Sequence, residues 1–440
     1  MNPRNRIAAV GVVAAGALLL AGCATSGSGE NDSEPEPQEV STEITDEEVN
    51  LVLAYVDDPP TPALVEGFEE EYPNVTIDAQ QTDFGNYITS ITRSMSSDDA
   101  PDLAQYNPGA MRSLIPAGEV LDLSAYYEAY GWDEAFPQAS LDQLMSDDEA
   151  MQFATGSLYA APGALSVLGV FYNKDLLAEA GIDSPPQSLA EFEEALAAVQ
   201  DNGDQPLSVG GLEVGGTQLW TAVLNSIADV EEYRDWIYGA PDATIETDAA
   251  MQATETFRSW VDEGYISSSA NATADSDALA EFTAGDSAFL VTGNWSAATI
   301  EDEMEDDAGF FIFPHSNPDQ PPVAAGSSVA YSISSRTEHP DVAAAFLNYM
   351  SSAEAGQIAI DTGFMPVSTN AEVASQGLLG EIASSFTPVA SNNNIVGFAG
   401  FATPEMVDLL PSGLQGIISG QMEPDQFLSS LQESWTSYHG

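Results

Sequence analysis

Val49-Asn50-Leu51-Val52-Leu53-Ala54-Tyr55-Val56 is an apolar run of strand length, and its meaning depends on the residues after it. Pro60 and Pro62 open a segment with Leu64, Val65, Phe68 and Tyr72 on one helical face, and Val75-Thr76-Ile77 resumes a strand. The unit is strand, helix, strand. Farther along, the apolar run from Leu165 to Tyr172 predicts another strand. Ser188-Leu189-Ala190-Glu191 reads as a capping box that starts a helix bearing Leu189, Phe192, Leu196 and Val199, and Asn202-Gly203 stops it. Strands are also predicted from Ala288 to Thr292, Gly309 to Phe313 and Val329 to Ile333. Pro340 starts a helix with Val342, Ala345, Phe346 and Tyr349 on one face. The last ninety or so residues read as helical, without strands. Alternating strands and helices predict an α/β architecture with mainly parallel sheets, whose ligands gather at the carboxyl ends of the strands.

Charge narrows the choice of ligand. The chain has 440 residues, with eight Lys and Arg against 70 Asp and Glu and a formal net charge of −62. No surface can form the basic stripe that a phosphate backbone requires, which excludes nucleic acid. The same field repels polyanions, so the partner is expected to be neutral or cationic. So acidic a surface, with Lys174 as the one lysine, also points to a halophilic or alkaliphilic host, where salt screens the carboxylates.

The single cysteine, Cys23, closes Leu20-Ala21-Gly22-Cys23 after Arg4, Arg6 and an apolar run from Ala8 to Leu20. That arrangement resembles a bacterial lipoprotein signal. The apolar run is too short to span a bilayer. The resemblance implies that residues 1–22 are removed and that Cys23 becomes the lipid-modified first residue. From there to residue 48 the chain is Ser, Gly, Pro, Glu and Asp with few apolar residues, and reads as an acidic tether. The expected order is anchor, leash and body, at the outer face of the cytoplasmic membrane of a bacterium, Gram-positive by this reading.

Catalytic motifs do not stand out. His315, His339 and His439 sit in no nucleophile–base constellation, and there is no GxSxG, HExxH, P-loop or GxGxxG motif. The acid runs at 147–149 and 301–307 lack the spacing and central glycine of a calcium loop, so they read as solvated faces and no metal or cofactor is implied. Glycoside hydrolysis stays open, because it needs only two carboxylates at the right separation.

Four stretches, in order, resemble the extracellular solute-binding proteins of ABC importers, specifically the carbohydrate-binding group typified by maltose-binding protein. They are Gly67-Phe68-Glu69-Glu70-Glu71-Tyr72-Pro73-Asn74-Val75; Ala100-Pro101-Asp102-Leu103 with Gly118-Glu119-Val120-Leu121-Asp122-Leu123; Tyr159-Ala160-Ala161-Pro162 running into Phe171-Tyr172-Asn173-Lys174-Asp175-Leu176-Leu177; and Phe282-Thr283-Ala284-Gly285-Asp286-Ser287-Ala288 with Gly293-Asn294-Trp295. The resemblance implies a two-lobe α/β fold of the periplasmic-binding-protein type (class II), with a hinge and an inter-lobe cleft that closes on its ligand. The implied lobes are 49–161 plus 328–366, and 162–327 plus 367–440. It further implies a monomeric, non-enzymatic receptor that hands a sugar or oligosaccharide to a permease.

Sugar recognition needs flat aromatic faces and hydrogen-bonding side chains. By the resemblance, Trp295 is the main stacking platform, with Asn294 beside it and Trp220 as a second aromatic. Tyr55, Asp57 and Asp58 at the end of the first strand, and Tyr106 and Asn107 at the end of the strand after Pro101-Asp102-Leu103, fall at cleft positions. Ser166 falls at the first crossing, with a ligand contact and a hinge role both open. Phe398 and Phe401 offer stacking from a Gly-rich loop, whereas Trp132, Trp236 and Trp260 read as core. The C-terminal loop lacks the tryptophan of the best-known members, which argues against a long maltodextrin-type site. A polyamine ligand stays open through Asp57, Asp58 and Asp83.

Overall fold

The computed structural model describes residues 40–440 apart from 57, 318 and 368–375. Cys23, the signal and most of the tether therefore lie outside the described residues, as does Asp57. The last stretch assigned to the tether lies against the body: Val40 and Ile44 pack on the core, Ser41 N donates to Asp341 Oδ1 at 3.0 Å, and Asn74 Nδ2 donates to the carbonyls of Thr45 and Glu47. The packed body thus includes residues before 49, because two apolar side chains in the acidic stretch lie against its core.

Twelve strands are described: β1 (Val49–Val56), β2 (Val75–Thr82), β3 (Leu103–Gln105), β4 (Met145–Ser146), β5 (Ser157–Leu158), β6 (Ala161–Asn173), β7 (Gln205–Ser208), β8 (Ser287–Gly293), β9 (Ala308–Phe311), β10 (Ala324–Ile333), β11 (Met365–Pro366) and β12 (Ile395–Val396). β4 and β5 form a small hairpin sheet. The others form one sheet in the order β2-β1-β3-β10-β6-β8-β7, with β9 and β11 on β6 and β12 on β10. Pairing is parallel at the two ends, β2-β1-β3 and β8-β7, where helices connect the strands. The expectation of mainly parallel sheets fails in the middle. There β10 runs antiparallel to β3 and β6, and β6 antiparallel to β8, β9 and β11. Two long strands running in opposite directions carry the chain between the halves of the sheet, and each half pairs against them. All thirteen residues of β6 are buried, which is why it reads as a continuous apolar run rather than an alternating one.

The local signals hold in detail. Ser188 Oγ accepts from Glu191 N at 3.2 Å, and Gly203 closes that helix, Leu189–Asn202, at a φ of 104°. Glu191 reaches past the cap to accept from Gln187 N at 2.8 Å, so the reciprocal half of the box is displaced by one residue. Among the described residues, the regular structure of the C-terminal region is helical except for β11 and β12, two-residue strands too short to show a period.

Buried side chains form two clusters. One joins β1–β3 and the helices Pro60–Glu71, Phe84–Met95 and Pro340–Tyr349, and continues beneath one face of β8 and β9. The second lies on the other face, under Leu189–Asn202, Gly215–Ile227, Asp248–Asp262, Met406–Ile418 and Pro424–His439. Trp132, Trp236 and Trp260 are fully buried within these cores, as their helical positions predict. Trp295 packs against both clusters.

Candidate functional site

A cavity of about 400 Å³ opens where the clusters meet. One wall comes from the carboxyl ends of the parallel strands, as strand polarity requires. Val56 ends β1 and Asp58 follows it, Phe84 starts the helix after β2, and Gln105 ends β3 with Tyr106 and Asn107 following. The middle of the sheet contributes Ser166, Ser327 and Ser328. The opposite wall holds Thr217, Gln218, Tyr238, Asp275, Trp295, Phe398 and Phe401.

Trp295 stands on the short helical turn Asn294–Ser296 directly after β8. Gly293 is what lets it fold back: a β-carbon there would lie 1.9 Å from the indole ring. Its ring is half-buried and meets Phe398 edge to face at 6.3 Å; Phe398 meets Phe401 at 5.6 Å. These three rings supply an aromatic wall. Three residues that line the same cavity carry a buried hydrogen-bonding atom with no partner among the described residues, namely Gln143 Oε1, Thr217 Oγ1 and Ser328 Oγ. Buried polar atoms are nearly always paired, so a cluster of them in a cavity marks a place for a polar ligand or water.

Asp58 and Asp275 are the charged side chains lining the cavity among the described residues. Asp58 Oδ1 accepts from Thr61 N and Thr61 Oγ1, at 3.2 and 3.0 Å, and Thr61 in turn bonds Tyr331 at 2.6 Å. Asp275 lies where the cavity continues into a chamber of about 200 Å³ behind Trp295, sharing Gln218 with it. Its Oδ1 accepts from Gly215 N at 2.9 Å and its Oδ2 from Val214 N at 3.4 Å, at the start of the helix Gly215–Ile227. Gly210 makes room for this, since a β-carbon there would lie 2.1 Å from Oδ1. Burial, and then the charge of Glu213, push the carboxyl up to about 6 against the pull of those two amides.

The sequence-based site divides. Trp295, Asp58, Tyr106, Asn107, Ser166, Phe398 and Phe401 line the cavity. Ser166 also donates to Ser327 O at 2.9 Å, joining β6 to β10. Three residues do not serve as expected. Trp220 is fully buried, donates to Thr254 Oγ1 at 2.9 Å and meets Phe427 edge to face at 5.4 Å. It is two residues from Gln218, about 200° round the helix, so the residue facing the cavity is Gln218 and Trp220 faces the core. Tyr55 shares the core-facing side of β1 with Leu51 and Leu53, and the alternation of the strand gives the cavity Val56 instead. Asn294 is fully buried. Its Oδ1 accepts from Val167 N at 2.8 Å, and its Nδ2 donates to Leu165 O and Gly363 O at 3.2 and 3.0 Å. It braces β6 and does not line this cavity. Phe84, Gln143, Thr217 and Asp275 do not stand out in the sequence as site residues. For Phe84 a signal existed: it succeeds Asp83, a helix N-cap, at the carboxyl end of a parallel strand, where cleft residues collect.

Comparisons with known proteins bear on this geometry. The chain is 27% identical over 245 residues to the xylose/arabinose-binding protein XacG of Haloferax volcanii, a match covering 53% of this chain and about half, 50%, of that relative. It is 21% identical to the multiple sugar-binding protein of Streptococcus mutans over 82% of both chains. Among solved structures, a chitin oligosaccharide binding protein superposes with a TM-score of 0.74 at 22% identity, covering 89% of this chain and 98% of that one. A family model described as bacterial extracellular solute-binding protein matches residues 56–357, a span that runs from the cavity-facing end of β1 past Trp295 and all of β10. A two-walled cavity between cores, with no catalytic constellation asked of it, is what such a protein requires, and the chain belongs to the bacterial extracellular solute-binding proteins.

Proposed function

We propose that this chain captures a neutral sugar or oligosaccharide in the 400 Å³ cavity and presents it to the permease of an ABC importer. The observation that carries this reading is the aromatic wall of Trp295, Phe398 and Phe401 in a cavity that is also lined by Gln143, Thr217 and Ser328, each with an unpartnered side-chain oxygen. Sugars have flat C–H faces that stack on such rings and hydroxyls that bond such oxygens. The names of the relatives, which bind xylose and arabinose, multiple sugars and chitin oligosaccharides, support the same class. In this reading the lobes are 49–161 plus 328–366 and 162–327 plus 367–440, hinged where β6, β10 and β11 cross between them. Cys23 carries the lipid that keeps the receptor at the membrane, and Cys23→Ala is expected to leave a folded protein that is released or retained as an uncleaved precursor, without lipid label.

A second reading rests on Asp58 and Asp275, charged groups of one sign in the cavity, which would suit a cationic solute such as a polyamine. A thermal-shift panel of neutral mono- and oligosaccharides, polyamines and amino acids separates the two, because a ligand of the native state raises the melting temperature by mass action. A shift with neutral sugars is expected. A shift with spermidine alone transfers the assignment to the cationic reading, and no shift with any member of the panel overturns both.

A further inference from the structure

Arg112, on the helix Pro108–Leu114, is 3% exposed and pairs with no carboxylate among the described residues, in a chain where acids far outnumber bases. Its guanidinium lies beside Tyr438, whose ring centre is 5.2 Å from Cζ and whose side chain is a further partner, and it donates to main-chain carbonyls. Nε and Nη2 reach Phe401 O at 3.2 and 3.0 Å, Nη1 reaches Ala150 O and Met151 O at 2.8 and 3.2 Å, and Nη2 also reaches Ile237 O at 3.4 Å. Five bonds match the five N–H groups of the fork.

The acceptors lie on three segments distant in sequence, and each segment supplies a wall of the cavity: Phe401 itself, Phe153 and Tyr238. Phe153 lies beneath the guanidinium, its ring centre 4.3 Å from Cζ, and its N donates to Tyr238 O at 2.9 Å. From Phe401 the edge-to-face contacts continue through Phe398 to Trp295. We propose that Arg112 is a positioning residue for ligand binding, holding three separate wall segments in one arrangement so that the aromatic wall is set before the ligand arrives. A lysine keeps the charge but has three donors on a single nitrogen and cannot reach carbonyls that the fork's three nitrogens engage separately.

The inference rests on the cavity being the ligand site, and the test keeps the two apart. Arg112→Lys and Arg112→Met are compared with the wild-type chain by thermal melting, by calorimetric titration with xylotriose, raffinose and maltotriose well below the melting temperature, and by amide hydrogen exchange without ligand. The expected result is that Lys recovers melting temperature relative to Met but not affinity, with the dissociation constant of whichever probe binds weakened at least tenfold in both. Exchange in 150–153, 236–240 and 398–402 should accelerate together, also about tenfold. Folded Arg112→Lys protein with affinity within threefold of wild type overturns the proposal. The exchange arm needs no ligand: acceleration of none or only one of the segments overturns it even if no probe binds, an outcome that separately counts against the functional reading. Should Arg112→Met not fold, Arg112→Lys decides alone.

Discussion

Trp295 and Trp220 carry the same indole in opposite surroundings. Trp295 is half-exposed on a cavity wall, whereas Trp220 is sealed between Thr254 and Phe427. Trp295→Ala should weaken ligand binding by about 2 kcal/mol, roughly 30-fold, while leaving the unfolding free energy within about 1.5 kcal/mol of wild type. Trp220→Ala should do the reverse, destabilising the fold by about 3–5 kcal/mol with the affinity of the folded fraction unchanged. Calorimetric titration and a denaturant melt on both variants check the pair; lost stability and retained affinity in Trp295→Ala would show the platform assignment to be wrong. Asp275 adds a pH dependence. Its carboxyl, ordinarily near 3.8, is held at about 6 in the fold, mainly by burial. Between those values the unfolded chain has released this proton while the folded chain keeps it, so the group removes stability as pH rises from about 4 to 6. Urea melts across that range should therefore show the wild type losing stability relative to Asp275→Asn. Parallel pH profiles for the two proteins would mean that the carboxyl is not held up.

At the level of elements, the turn after β8 connects fold to site. Asn294 braces it from below through bonds to Val167, Leu165 and Gly363, and Gly293 clears the space above which the indole lies. A methyl group at Gly293 has nowhere to go except into the ring. Gly293→Ala should displace Trp295 and reduce affinity at least tenfold, a loss of about 1.4 kcal/mol or more, without removing any side chain from the wall. The same titration checks it, and unchanged affinity would show that the ring does not need this position. β6 and β10 act over a longer range. Each pairs with strands on both sides of the sheet, and the bond from Ser166 to Ser327 ties them together beside the cavity.

Across the molecule as a whole, the net charge of −62 is met by few bases. Among the described residues the ion pairs are Lys174 with Glu381, Arg234 with Glu231, Arg258 with Asp262 and Arg336 with Glu119. Each involves a partly exposed group and is worth little alone. With 70 acids to eight bases most carboxylates have no cation to pair with, so screening should stabilise the fold. The melting temperature should rise with NaCl, most of the rise coming below about 1 M, where the Debye length has shrunk to about 3 Å. A melting temperature that is flat or falls in the same titration would remove the case for a high-salt host and leave the binding site untouched.

The features legible in the chain before folding are either local or global in character. Apolar runs and helical periods located β1, β6, β8, β9 and the helices after Pro60, Ser188 and Pro340, because strand and helix each impose their own spacing on the residues they bury. Charge excluded nucleic acid, since a field of one sign needs no geometry to act. Trp295 was singled out by the family resemblance of the stretch around it, and it stands on the cavity wall. Packing between distant segments settled the rest. A shift of one residue in the alternation of β1 separates Tyr55 in the core from Val56 at the cavity, and a rotation of about 200° separates Trp220 from Gln218. The run of parallel strands breaks where β6 and β10 cross, a choice made by pairing between segments more than 150 residues apart. Asn294 and Arg112 depend on carbonyls contributed from distant loops. Main-chain carbonyls are the same in every residue, so no pattern of side chains reveals where they will converge until the chain has folded around them.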